Sequence, residues 1–184
     1  MIVRINTSAL SFPLFHIPGV TADWVDGSTS PELNLQPGEY GFQPGPIADF
    51  RFRVTAGGAI DYDDQFAGFL GGKNTNELKV LGYKVRIDGT ALDHATVFAL
   101  PKRPQDPNWL LFDKVHEITL VPASGYRFHP TSGLSAIFDF GVDRAGKIEL
   151  DQRYAGFASG GGTDTLKISG YTIQVDGMAL DLLV

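Results

Sequence analysis

Asp61 and Asp63, which with Asp64 make the run Asp-Tyr-Asp-Asp, set alternate carboxylates along one side of an extended chain, where oxygen ligands could gather round a hard cation such as calcium. A later run, Glu149-Leu150-Asp151-Gln152, keeps the alternation but has Gln152 in place of the extra Asp, which suits a solvated strand face that discourages edge pairing. Aromatic residues form the second chemical group. Phe66 with Phe69, and Tyr154 with Phe157, flank Ala-Gly in two Gly-rich stretches, and Trp24 and Trp109 sit in Pro-bearing segments. Rings on such loops would stack on a sugar or an apolar ligand if exposed, or plug the open end of a β structure if buried. The four histidines, His16, His94, His116 and His129, show no metal-site spacing, and His94 beside Asp93 would point to the opposite face of a strand. No Gly-x-Ser-x-Gly elbow, dinucleotide fingerprint or phosphate loop is present.

One Gly-rich tract adds a metal hypothesis. Ser159 to Leu166, Ser-Gly-Gly-Gly-Thr-Asp-Thr-Leu, resembles one turn of the calcium-binding nonapeptide of RTX proteins and departs from it at the first Gly. Its counterpart, Gly71 to Leu78, carries Asn74 for Gly and Asn76 for Asp. The resemblance covers eight residues in each tract and implies calcium held by backbone carbonyls and the Asp164 carboxylate between stacked turns. Here each tract is a single turn, and a Gly-rich hairpin loop is the competing reading. Calcium, at Asp61, Asp63 or Asp164, is the one cofactor the sequence raises.

The elements that must position these residues come from a repeat. Gly58 to Leu92 aligns with Gly146 to Leu180 at a constant shift of 88, without gaps, with 16 of 35 positions identical. Upstream, Asp49 to Val54 matches Ile137 to Val142, and, after a two-residue gap, Gly38 to Pro44 matches Ser124 to Pro130. The unit is roughly 86 residues long, the size of a small β domain. The Val-Arg-Ile strand near Val85 has a counterpart at Val3 to Leu10 and another before Leu180, so each unit is bracketed by two such strands.

Within the unit the apolar period is two: Phe50, Phe52 and Val54 answer Phe138, Phe140 and Val142. Gly-bearing loops after Val54 and Val142 predict hairpins. Buried parity slips from Leu78 and Val80 to Tyr83, Val85 and Ile87, with Gly82 at the change and Gly170 in the second copy, which predicts a bulge or bend carrying one strand from sheet to sheet. Asp88-Gly89 and Asp176-Gly177 read as turns, with Asn6 in the first copy. Ser11 to Pro31 and Asp93 to Val115, the least repeated segments, are expected to hold any functional asymmetry.

Composition sets the class. The chain has 184 residues, 43% hydrophobic and 20% charged, with 22 Gly and 13 Phe, the balance of a globular protein made of strands and tight turns. A formal charge of −6 argues against nucleic acid and anionic membrane surfaces, both of which ask for clustered Lys and Arg. No apolar run reaches the length of a membrane helix, and the first residues lack the order of a secretory signal. Cytoplasmic is the default, while secretion after signal removal would read the same; the absence of cysteine fits both.

The expectation is an all-β protein of two packed β-barrel or β-sandwich lobes in pseudo-two-fold relation. The units are residues 1–92 and 93–184, which could share the strand at 78–92. The expected function is a non-catalytic binding or interaction module for a small molecule, carbohydrate or protein, using Trp24, Trp109, Phe66, Phe69, Tyr154 and Phe157. Its rivals are an isomerase- or cyclase-type barrel enzyme with a buried His or Asp in an apolar cavity, and a purely structural assembly protein.

Overall fold

Alternation of apolar and polar residues is what builds the sheets. In the computed structural model, residues 1–44, 50–91, 98–101, 109–112, 115–130, 138–169, 171–175 and 178–182 are described. The regular elements among them are β-strands, with three-residue 3-10 turns at Asp64–Phe66 and Gln152–Tyr154. The strands form several sheets, and none closes on itself among the described residues. No helix there is long and apolar enough to cross a membrane.

Strand β1 (Ile2–Asn6) buries Val3 and Ile5 completely and turns Ile2 and Arg4 outward. A one-residue slip would exchange the two apolar side chains for Arg4, so burial alone holds the register. Segment β2 (Leu14–Phe15) pairs with β3 (Val25–Asp26) in a short ribbon, and β4 (Glu32–Asn34) returns to pair antiparallel with β1, setting Leu33 opposite Val3. Strands β5 (Gly38–Phe42), β6 (Phe50–Val54) and β7 (Ile60–Asp61) make a three-stranded sheet. Its inner face carries Phe42, Phe52, Val54 and Ile60 into the core. The expected hairpin joins β6 to β7, closed by Thr55 and Ala59. Then β8 (Leu70–Gly71) pairs with β9 (Glu77–Val80), and β9 lies parallel to β1, with Ile5 opposite Leu78.

The parity slip at Gly82 is a change of sheet. Chain that leaves the β4-β1-β9-β8 sheet at Val80 enters a second sheet three residues later as β10 (Tyr83–Asp88). No bulged continuous strand forms, because Gly82 adopts φ +64° and breaks the ladder between β9 and β10. The corresponding Gly170 lies outside the described residues. Strand β10 pairs antiparallel with β13 (Val115–Leu120), with Val85 opposite Ile118, and parallel with β18 (Thr165–Ile168), with Ile87 opposite Leu166. Between these come β11 (Phe98–Pro101) and β12 (Trp109–Phe112), β14 (Ala123–Pro130), β15 (Phe138–Val142), β16 (Ile148–Leu150) and β17 (Ala158–Ser159). Strands β12-β11-β14-β15-β16 form one sheet and β13-β10-β18-β17 another. The predicted hairpin after Val142 joins β15 to β16, and β19 (Tyr171–Val175) pairs with β20 (Met178–Leu182).

Turn chemistry agrees with the sequence at the C-terminal end of two copies of the repeated strand. Asn6 Oδ1 accepts from the Ser8 backbone N–H at 3.0 Å, and Asp88 Oδ1 accepts from the Thr90 N–H at 3.0 Å. The Thr90 hydroxyl and N–H hold the Asp88 carboxyl below the usual carboxylate range.

A single apolar core runs through the described residues from Val3 to Ile168. The junction between the two four-stranded sheets is close-packed. A Cβ on Gly82 would lie 2.7 Å from Leu10 Cδ2 and 2.8 Å from the Leu120 carbonyl oxygen. Tyr83 lies across Phe69, its hydroxyl donating to the Arg144 carbonyl at 2.7 Å. Gly68 and Gly146 leave room for that ring, since a Cβ on Gly68 would collide with its hydroxyl and one on Gly146 would approach its Cγ to 2.7 Å. Thr119 N–H donates to Ser11 Oγ at 2.8 Å across the same junction.

Candidate functional site

The outer face of β5-β6-β7 is where charged residues converge. The Phe-Arg-Phe-Arg-Val alternation of β6 turns Arg51 and Arg53 outward while Phe50, Phe52 and Val54 go inward. Register sets Glu39, Arg53 and Asp61 in one row across the three strands and puts Gly41 opposite Arg51. Beyond β7 the chain turns through Asp63, whose Oδ1 accepts from the Gln65 N–H at 2.9 Å and so caps the 3-10 turn at Asp64–Phe66. Together these elements wall an open cleft of about 710 Å³, lined by Glu39, Arg51, Arg53, the three aspartates, Gln65, Lys73, Phe50, Phe52, Tyr62 and Phe66. Phe50, Phe52 and Tyr62 are buried, and Phe66 is the half-buried ring of the four.

Its charges are largely paired. Arg53 meets Asp61 at 2.5 Å, and Lys73 Nζ lies 2.5 Å from Asp64 and 3.6 Å from Asp61. The Arg53 hydrogen bond, with the charges of Arg53 and Lys73, holds the Asp61 carboxyl below its usual range. The Asp64 hydrogen bond likewise raises Lys73, whose ammonium also sits 5.6 Å from the centre of the Tyr62 ring. Arg51 is exposed and has no ion-pair or hydrogen-bond partner among the described residues. At the rim, Arg144 packs 5.7 Å from the Phe66 ring centre and bonds Gln65.

A second, shallower hollow of about 360 Å³ occupies the outer face of β15-β16, lined by Asp139, Phe140, Gly141, Glu149, Leu150, Asp151 and Arg153. At the positions that the sequence alignment pairs with Arg51, Arg53 and Lys73 it has Asp139, Gly141 and Gly161. The cationic side chains of the first cleft therefore have no counterparts in the second.

The aromatic residues singled out in the sequence do not form one site among the described residues. Phe69 is fully buried, with Phe50 at 4.8 Å and Phe66 at 5.9 Å between ring centres. Phe66 is half-buried and reaches the cleft. Tyr154 and Phe157 are half-buried and pack on each other at 5.7 Å. Trp24 is half-buried, 6.0 Å from the His16 ring, whose Nε2 lies 3.1 Å from the Thr21 carbonyl. Trp109 pairs with Pro101 in the β11–β12 ribbon, and its side chain lies outside the described residues, as does His94.

The calcium residues are engaged otherwise. Asp61 lies between two cations, Asp63 caps a turn, and no group of three or more acidic or His side chains able to hold a metal occurs among the described residues. In the tract that resembles an RTX turn, the Thr163 hydroxyl lies 2.7 Å from the Gly160 carbonyl and 3.0 Å from that of Thr165. Thr75 does the same at Gly72 and Glu77, at 2.7 and 3.1 Å. A threonine hydroxyl thus sits where each loop turns its carbonyls inward, and Asp164 is exposed, bonded by its neighbour Thr165.

Sequence reasoning missed Arg51, Arg53, Lys73, Glu39 and Gln65. The alternation of β6 was the available signal for the first two, since a buried strand face leaves its odd residues outside. Comparison of the chain with protein-family models, curated proteins and solved structures finds no match. Fold and geometry define an all-β protein with a charged cleft bordered by Phe66, and any functional reading rests on those features alone.

Proposed function

We propose that the chain is a non-catalytic binding module and that a carbohydrate occupies the β5-β6-β7 cleft. The observation that carries this is the mixed lining: carboxylates, guanidinium groups, an ammonium and an amide stand beside the half-buried Phe66 ring in an open trough. Vicinal sugar hydroxyls both donate and accept, which suits side chains of both kinds, and the apolar face of a sugar ring suits the Phe66 ring. Ion pairs among Arg53, Asp61, Lys73 and Asp64 hold the lining in place before a ligand arrives, which lowers the ordering cost of binding.

The architecture behind this reading is two copies of one β unit, packed as sandwich-like lobes. It is supported by equivalent registers: Val3 opposite Leu33 and Val85 opposite Ile118, Ile5 opposite Leu78 and Ile87 opposite Leu166. The matching caps of Asp63 on Gln65 and Asp151 on Arg153 support it as well. The cleft of one copy is lined by Arg51, Arg53 and Lys73, and the hollow of the other by Arg153 as its one cation.

Two-dimensional NMR of the labelled protein against a panel of neutral and acidic oligosaccharides tests the proposal. Shifts confined to residues 50–53, 61–66 and 73 are expected. Shifts spread elsewhere, or none with any sugar, refute it.

A further inference from the structure

Resting on the carbohydrate reading, we infer that the cleft selects sugars bearing a carboxylate, and that Arg51 is the residue that selects them. Of the three cations in the lining, Arg53 and Lys73 already neutralise Asp61 and Asp64. Arg51 alone is uncommitted, and Gly41 opposite it presents no side chain to fill the space beside the guanidinium. A free, planar guanidinium matches a carboxylate by two parallel hydrogen bonds, a geometry that a neutral hydroxymethyl group does not reproduce. With Arg53 and Lys73 paired, Arg51 is left to pair one carboxylate, and Glu39 and Asp63 repel any further negative charge on the ligand, such as that of a phosphate or a sulfated chain. The hollow on β15-β16 has Asp139 at the matching position and is not expected to accept such a ligand.

The experiment compares a galactose trimer carrying one galacturonate residue with the all-neutral trimer of the same linkage, by calorimetry at low salt, on the wild-type chain and on Arg51→Ala and Arg51→Lys. Charge-assisted hydrogen bonds predict a preference of about tenfold for the acidic sugar. That preference vanishes in Arg51→Ala and is only partly kept in Arg51→Lys, which retains the charge without the fork. Arg51 points outward from a strand, and a thermal melt verifies that both variants are folded. Equal binding of the two sugars by the wild type, or a preference that survives Arg51→Ala, overturns the role of Arg51 while leaving the carbohydrate proposal standing. Binding of neither sugar overturns the selection of a carboxylate, and silence across the whole oligosaccharide panel overturns the carbohydrate reading as well. An Asp- and Glu-rich peptide run in parallel gives the remaining outcome: if it binds through Arg51 and the sugars do not, the ligand class is wrong.

Discussion

Gly82→Ala tests the junction where the chain changes sheets. Two costs act together. At φ +64° an L-residue pays about 1–2 kcal/mol for a left-handed backbone. The new methyl would stand 2.7 Å from Leu10 Cδ2, 2.8 Å from the Leu120 carbonyl oxygen and 2.9 Å from Thr119 Cγ2. Overpacking of this kind costs about 1–3 kcal/mol more. Gly162→Ala provides the control, because it has φ +77° and nothing within 4 Å of its built Cβ, so it carries the backbone cost alone. Urea unfolding of both variants should therefore place Gly82→Ala about 1–3 kcal/mol below Gly162→Ala. With a denaturant slope of about 2 kcal/mol per molar, that is a midpoint lower by about 0.5–1.5 M. Equal midpoints would refute a junction packed tightly against Leu10 and Leu120.

Further expectations concern single groups. Tyr83→Phe removes the bond to the Arg144 carbonyl and should cost about 1 kcal/mol in the same assay. Burial raises the Tyr126 phenol, whose hydroxyl donates to the Val121 carbonyl at 2.8 Å. The folded state therefore holds this proton to higher pH than the unfolded chain, and stability, whole below about pH 10, should fall above it by up to about 1.4 kcal/mol per pH unit; Tyr126→Phe should flatten that fall. On the acid side, Glu77 is held below its ordinary value, first by the Asn6 amide and then by Ser30 and Lys79. Its contribution is present above about pH 4.3 and lost as pH drops through the lowered value, so Glu77→Gln should reduce the acid sensitivity of the melting temperature. Calcium or a chelator should leave the melting midpoint unmoved, given the cations around Asp61 and the hydroxyls inside both Gly-rich loops; a rise with calcium would refute that account.

Local chemistry was legible in the sequence, and long-range pairing was not. The hairpins after Val54 and Val142, the outward Asn6 and Asp88 turns and the sheet change near Gly82 all follow from neighbours a few residues apart. The parallel contact of β1 with β9 joins residues more than 70 positions apart, and nothing in either strand names the other. For the same reason the cleft was only half visible. Asp61, Asp63 and Phe66 stood out in the sequence as a metal or aromatic motif, but Arg53 and Lys73 give Asp61 a different employment, and they reach it from β6 and from the loop after β8. The threonine in each Gly-rich tract was readable in principle, since a hydroxyl three residues after Gly72 or Gly160 can close a turn where a calcium loop would leave its carbonyls free.

The parallel ladders have a mechanical consequence. The chain enters β1 at one end of its contact with β9 and leaves β9 at the other, and β10 with β18 repeats the arrangement. Tension drawn along the backbone through either pair therefore pulls the strands lengthwise past each other, straining all the rungs of the ladder together, where a hairpin pulled from its open end would unzip one rung at a time. Two residues, Leu81 and Gly82, separate β9 from β10, so there is almost no slack between one ladder and the next. A molecule strung this way transmits a pull from sheet to sheet and lengthens only when a whole ladder slides.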